Sequence, residues 1–93
     1  MSVTFHIPSA LRAFTQGDGE IVISATPRDV REALHALFAV HPGVHDRVLT
    51  ETGQVREHVN IFVGPESIRY TGGLTTPVPA GAEISIVPAV SGG

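Results

Sequence analysis

The chain has no cysteine and no lysine; all six of its basic residues are arginines. Without cysteine there is no disulfide, no thiolate nucleophile and no cysteine metal site. Without lysine there is no P-loop, no Schiff-base catalyst and no Ser-x-x-Lys nucleophile. The sole titratable amine is then the N-terminus. No apolar run approaches the roughly 18 residues that a membrane span requires. The opening Met-Ser-Val-Thr lacks a basic region followed by an apolar one, so no secretory signal is expected and the cytoplasm is the default location. A net charge of -3 without a basic cluster argues against nucleic acid as a partner.

What remains is enough for one small folded domain. Hydrophobic residues make up 42% of the 93, well above the level of a disordered chain. Alternation over residues 2–7 puts Val3, Phe5 and Ile7 on one face and Thr4 and His6 on the other, the period of a strand. Pro8 ends it, and Leu11 and Phe14 are expected to pin the following loop or short helical turn to the core. Gly17-Asp18-Gly19 is a turn. Residues 20–25 read as a second strand, antiparallel to the first.

Thr26 is expected to cap the main helix, with Pro27 at the first helical position and Asp29 three residues after the cap. Val30, Ala33, Leu34, Leu37 and Phe38 then form a one-sided apolar stripe, opposite Arg28, Arg31, Glu32 and His35. His41-Pro42-Gly43 stops the helix. Residues 44–57 read as polar and irregular, with a short turn around 46–49. Residues 58–63 form a third strand, with Val59, Ile61 and Val63 facing one way and Asn60 and Phe62 the other. Residues 67–71 are a short fourth strand ended by Gly72-Gly73. Residues 74–79 are extended but interrupted by proline, and residues 83–87 make the last strand.

This order predicts an α+β domain with a mixed sheet of four to five strands and one main helix across one face. The expected core is Val3, Phe5, Ile21, Ile23, Val59, Ile61, Ile84 and Ile86 together with the helical stripe. The uncovered face then holds Thr4, His6, Phe62, Ser85 and Val87. Phe62 and Val87, joined by Tyr70 or Leu74, are the expected apolar patch for a partner.

No catalytic apparatus stands out. His41 and His45 are four apart, but Pro42-Gly43 breaks the helix that would bring them together, so no metal site is expected. Ser67, His58 and Asp46 could be drawn as a triad, yet no strand-to-helix elbow surrounds any serine. The chemically distinctive stretch is the ending, Val87-Pro88-Ala89-Val90-Ser91-Gly92-Gly93. Two glycines let a backbone thread a narrow channel without Cβ clashes, and Pro88 restrains the root. The carboxylate of Gly93 is a poor acyl donor because its leaving group would be oxide. Conversion to an acyl phosphate or adenylate, with ATP and an external enzyme, would supply a good one.

The segment order, the ending at residues 84–93, Gly81 before the last strand, and Val59-Asn60-Ile61-Phe62-Val63 resemble the ThiS/MoaD family of ubiquitin-like sulfur carriers. His58 followed by that stretch, and then Ile68-Arg69-Tyr70-Thr71-Gly72-Gly73-Leu74, is most similar to the CysO branch. The long segment 42–57 points the same way. One departure is Ala89, where MoaD proteins commonly carry a second proline.

The resemblance implies a β-grasp domain over residues 1–88 and a flexible tail over 89–93. It implies a carrier rather than an enzyme, with no cofactor bound. An E1-like partner of the MoeB/ThiF type would use ATP to adenylate Gly93, and a sulfur source would convert the adenylate to a thiocarboxylate. Val90, Ser91 and Gly92 would occupy the partner's channel, and Phe62, Val87, Tyr70 and Leu74 would contact it. A pyridoxal-phosphate-dependent cysteine synthase would then accept the sulfur. Alternatives within the family are the small subunit of molybdopterin synthase and sulfur supply to thiamin or a secondary metabolite. A ubiquitin-like protein modifier is the alternative of another class.

Overall fold

The structure is a computed structural model, and it describes residues 2–88. A five-stranded sheet has the order β2-β1-β5-β3-β4. Its strands are β1 (Val3–His6), β2 (Glu20–Ile23), β3 (Val59–Val63), β4 (Glu66–Ser67) and β5 (Glu83–Pro88). β1 runs parallel to β5, and the other pairings are antiparallel. The last strand in sequence is thus the central strand in space. The helix α1 (Val30–Val40) covers one face.

The alternation sets which face is covered. Val3, Phe5, Ile21, Val59, Ile61, Ile84 and Ile86 are buried together with Val30, Ala33, Leu34, Leu37 and Phe38 of the helix. Ile23 is the one expected core residue left half-buried, still packed against the cluster. Burial of each large side chain contributes roughly 1.5–3 kcal/mol before entropy. Leu11 and Phe14 pack against the same cluster from a 3₁₀ helix, Ser9–Phe14.

The start of α1 departs from the sequence expectation. Asp29, not Thr26, is the N-cap, and its Oδ1 accepts from the Glu32 N–H at 2.9 Å. Glu32 in turn reaches back, its Oε1 accepting from the Arg28 N–H at 3.0 Å. Pro27 lies outside the helix. The cause is tertiary. Asp29 forms an antiparallel bridge with Pro77, flanked by bonds from Val30 N–H to the Thr76 carbonyl and from Val78 N–H to the Arg28 carbonyl. Residues 28–29 are held extended by that pairing, so helical geometry begins only at Val30.

The segment after the helix is also more ordered than its polarity suggests. A 3₁₀ turn, Pro42–Val44, runs into α2 (His45–Val48). Val44, Val48 and Leu49 are buried, at 0%, 0% and 5% exposure. Outside them, the Arg47 guanidinium sits 4.6 Å over the Phe14 ring, and Arg56 Nε donates to the Asp46 carbonyl at 2.6 Å. Leu49 bridges to Val55, closing the loop at its base. A residue count of polar and apolar positions misses this segment because three well-placed side chains anchor it.

The expected fourth strand is only Glu66–Ser67; the chain then turns into 3₁₀ helices at Ile68–Tyr70 and Gly73–Thr75. Residues 74–79 are accordingly not a simple extended run. Gly72 carries the reversal with φ of 124°, a value that side chains with a Cβ rarely adopt. Thr76 is buried at this corner, and its Oγ1 donates to the Gly73 carbonyl at 2.7 Å.

Candidate functional site

The uncovered face is built by alternate residues of the same strands. β1 contributes Thr4 and His6, β5 contributes Glu83, Ser85 and Val87, and β3 contributes Asn60 and Phe62. Register fixes their neighbours. His6 and Phe62 both pair with Ser85, from opposite sides, and Asn60 pairs with Val87. Phe62 and Val87 are therefore diagonal neighbours on adjacent strands, within reach of one another for a side chain as large as phenylalanine. Phe62 is half-buried and Val87 is 39% exposed.

The two other residues expected in this patch lie elsewhere. Tyr70 is 88% exposed, in the 3₁₀ turn beyond the β4 edge. Leu74 is half-buried against the core, in a turn that contacts α1. Over β3 and β5 the apolar part of the open face thus rests on Phe62 and Val87, with Val22, 62% exposed, standing apart on β2.

Apart from Val22 at the β2 edge, the remainder of that face is polar. His6 Nε2 lies 2.6 Å from Glu83 Oε1. Since a carboxylate only accepts, the imidazole donates. Glu20 extends the same row on β2, paired with His6. The face divides into an acidic side over β2, β1 and the start of β5, and an apolar side over β3 and the end of β5. His6, Ser85 and Val87 lie where strand alternation predicts them; Glu83 and Glu20, not among the residues expected on this face, follow from the same alternation.

The route toward the chain end is fixed by β5. Pro88, the last residue described, pairs with Val59. Val59 also lines an open groove of about 560 Å³ with Val55, Ile61 and Ile68, rimmed by Arg56 and Arg69. A second groove, of about 440 Å³, lies around Val63, Gly64, Thr76 and Glu83, at the other end of β3 and β5. Residues 89–93, with the expected adenylation site Gly93 and the channel residues Val90, Ser91 and Gly92, lie outside the described residues.

Among the described residues no three histidine, aspartate or glutamate side chains come together to hold a metal ion. His45 is engaged locally, Nδ1 2.9 Å from Asp46 Oδ1 and its ring edge-on to Phe38. No helix among the described residues is long and apolar enough to cross a membrane.

Comparison with known proteins adds to this geometry. The model of the ThiS family matches residues 5–93. Sulfur carrier protein CysO of Mycobacterium tuberculosis is 35% identical over 95 aligned positions that span all of both chains. A chain of the Amycolatopsis orientalis BexX/CysO complex superposes with a TM-score of 0.87 at 33% identity, covering 98% of this chain and 99% of that one. SAMP1 of Haloferax volcanii superposes with a TM-score of 0.82 at 26% identity over the whole of both chains. These likenesses bear out the mixed sheet and single covering helix as a β-grasp fold, and with a family model matched over nearly its whole length, the chain belongs to the ThiS family.

Proposed function

We propose that this protein is a sulfur carrier that acts in the cytoplasm as a co-substrate of other enzymes. The observation that carries the reading is its end-to-end likeness to CysO, with all of both chains aligned. The geometry is compatible: β5 hands the chain on from Pro88 at the edge of a face bearing Phe62 and Val87.

The chemistry in this reading is the one that the resemblance to the ThiS/MoaD carriers implies for the ending Ser91-Gly92-Gly93. An E1-like enzyme of the MoeB/ThiF type joins the Gly93 carboxylate to the α-phosphate of ATP and releases pyrophosphate. Sulfide, or the outer sulfur of a persulfide, attacks the acyl carbon, and AMP leaves with the bonding electrons. Sulfide leaves a thiocarboxylate directly; a persulfide leaves an acyl disulfide, whose S–S bond a thiol then cleaves, releasing the thiocarboxylate and forming a disulfide between that thiol and the donor's inner sulfur. The thiocarboxylate then gives its sulfur to an accepting enzyme, in this reading a pyridoxal-phosphate-dependent cysteine synthase. Val90, Ser91 and Gly92 occupy the partner's channel while Phe62 and Val87 contact its surface. Molybdopterin, thiamin and a secondary metabolite are the other destinations for the sulfur.

The test is intact mass spectrometry after incubation with an E1-like enzyme, ATP and sulfide. A gain equal to replacing one oxygen by sulfur supports the reading. No gain, with a partner enzyme proven active on its own carrier, removes it. The likeness to SAMP1 favours a second reading, a ubiquitin-like modifier. That reading requires Gly93 in isopeptide linkage to lysines of other proteins, visible as a ladder of tagged conjugates in cells.

A further inference from the structure

Strand β2 is one edge of the sheet and pairs only with β1 among the described residues. Two backbone bonds fix the phase of its hydrogen bonding. The Ile7 N–H donates to the Gly19 carbonyl at 2.8 Å, and the Thr4 N–H donates to the Ala82 carbonyl at 3.1 Å. The first makes Ile7 and Gly19 a bonded pair, so Phe5–Ile21 and Val3–Ile23 are bonded pairs in the alternating ladder. The second turns the Thr4 N–H toward β5 and so away from Val22. Glu20, Val22 and, by continuation, Ser24 therefore aim their N–H and C=O groups at the open edge. Val22 is 62% exposed there.

The two edges of the sheet differ. β4 offers two residues before it turns into a 3₁₀ helix. β2 offers a longer run without the proline, lysine or bulge that commonly blunts an exposed edge.

We propose that the free edge of β2 is a self-association surface, to which a second copy adds its own β2 antiparallel about a two-fold axis at Val22. The sequence of residues 20–24, Glu-Ile-Val-Ile-Ser, complements itself in that register. Val22 meets Val22 of the second copy on the open face. Glu20 lies opposite Ser24, whose hydroxyl can donate to the carboxylate. On the covered side, half-buried Ile23 meets Ile21. An axis at Glu20 would instead oppose two carboxylates, which is destabilising. An axis at Ile21 would set the Glu20 carboxylate against Val22.

The pairing joins two sheets into one and stops at two copies, because a two-fold contact uses the same edge of both. So few paired residues bury less than about 1,200 Å², the range of weak and transient encounters. Association is thus a high-concentration property. It extends the sheet on the side away from β3, so Phe62 and Val87 remain uncovered, and it does not depend on the sulfur-carrier reading.

Amide hydrogen exchange across a concentration series tests this on the full chain. The Ile21 and Ile23 amides, bonded to β1, should be protected at every concentration. The Val22 amide should gain protection as concentration rises, together with a doubling of sedimenting mass. Val22→Lys sets like charges across the axis and should abolish both changes without altering the melting midpoint. Because the chain has no cysteine, Val22→Cys gives an unambiguous cross-link. It should oxidise to a dimer faster than Tyr70→Cys, which is at least as exposed but lies beyond the other edge. Monomer mass with an unprotected Val22 amide at the highest concentration would overturn the proposal. So would equal cross-linking of the two cysteine variants, or Val22 protection that appears only when another protein's strand is added.

Discussion

His6 Nε2 lies 2.6 Å from Glu83 Oε1, bridging the parallel strands β1 and β5 on the uncovered face. Both side chains are well exposed, at 40% and 65%. An exposed pair of this kind is worth at most about 1 kcal/mol. A double-mutant cycle of His6→Ala and Glu83→Gln in urea should therefore return a coupling below that value. A much larger coupling would mean that the pair organises the parallel ladder itself.

The two descriptions of the helix start are separable by stability. Asp29→Ala removes the side chain that caps α1 and should destabilise by about 1 kcal/mol. For a domain of this size that is a fall in melting temperature of about 4–8 °C. Thr26→Ala, at an exposed position outside the helix, should be neutral. The reverse ranking would restore Thr26 as the cap.

Leu49 follows α2 in the middle of a segment rich in polar residues, yet it is nearly fully buried. Leu49→Ala should destabilise by about 2–5 kcal/mol in chemical denaturation. Thr52→Ala, in the exposed tip of the same loop, should stay within about 0.5 kcal/mol of the parent.

On the carrier reading, deletion of Gly92 and Gly93 should abolish thiocarboxylate formation while leaving the melting midpoint unchanged. Val87→Glu places a second charge beside Phe62 without opening the core. It should weaken binding to the E1-like partner tenfold or more, about 1.4 kcal/mol, by isothermal titration. Tyr70→Ala should show whether the partner's footprint extends past the β4 edge: a comparable loss says that it does, and unchanged affinity says that it does not.

Local patterns carried much of the fold. The helical stripe from Val30 to Phe38 was legible because each member follows from a 3.6-residue period, and the faces of β1, β3 and β5 followed from alternation. What could not be read depended on distant contacts. Asp29 becomes the cap because Pro77 holds the chain before it extended, and nothing within residues 26–30 encodes that bridge. Val44, Val48 and Leu49 were overlooked because a 3₁₀ turn and one helical turn offer no sustained period. For the site, alternation brought Phe62 and Val87 together, but it could not place Leu74, which a turn at Gly72 directs toward the helix-covered side. The ending at Gly93 drew attention through composition and family resemblance, not through any packing rule.

The central position of β5 has a consequence for how the molecule is made. During synthesis the β1–β2 hairpin and α1 emerge early, but neither can complete the sheet. The slot between β1 and β3 stays empty until residues 83–88 leave the ribosome, and such long-range, partly parallel pairing is slow to form. A chain truncated upstream of Glu83 lacks the strand that joins the two halves of the sheet. A chain interrupted there also lacks Glu83, Ser85 and Val87, the middle row of the open face, so the sheet and that face are completed by the same six residues.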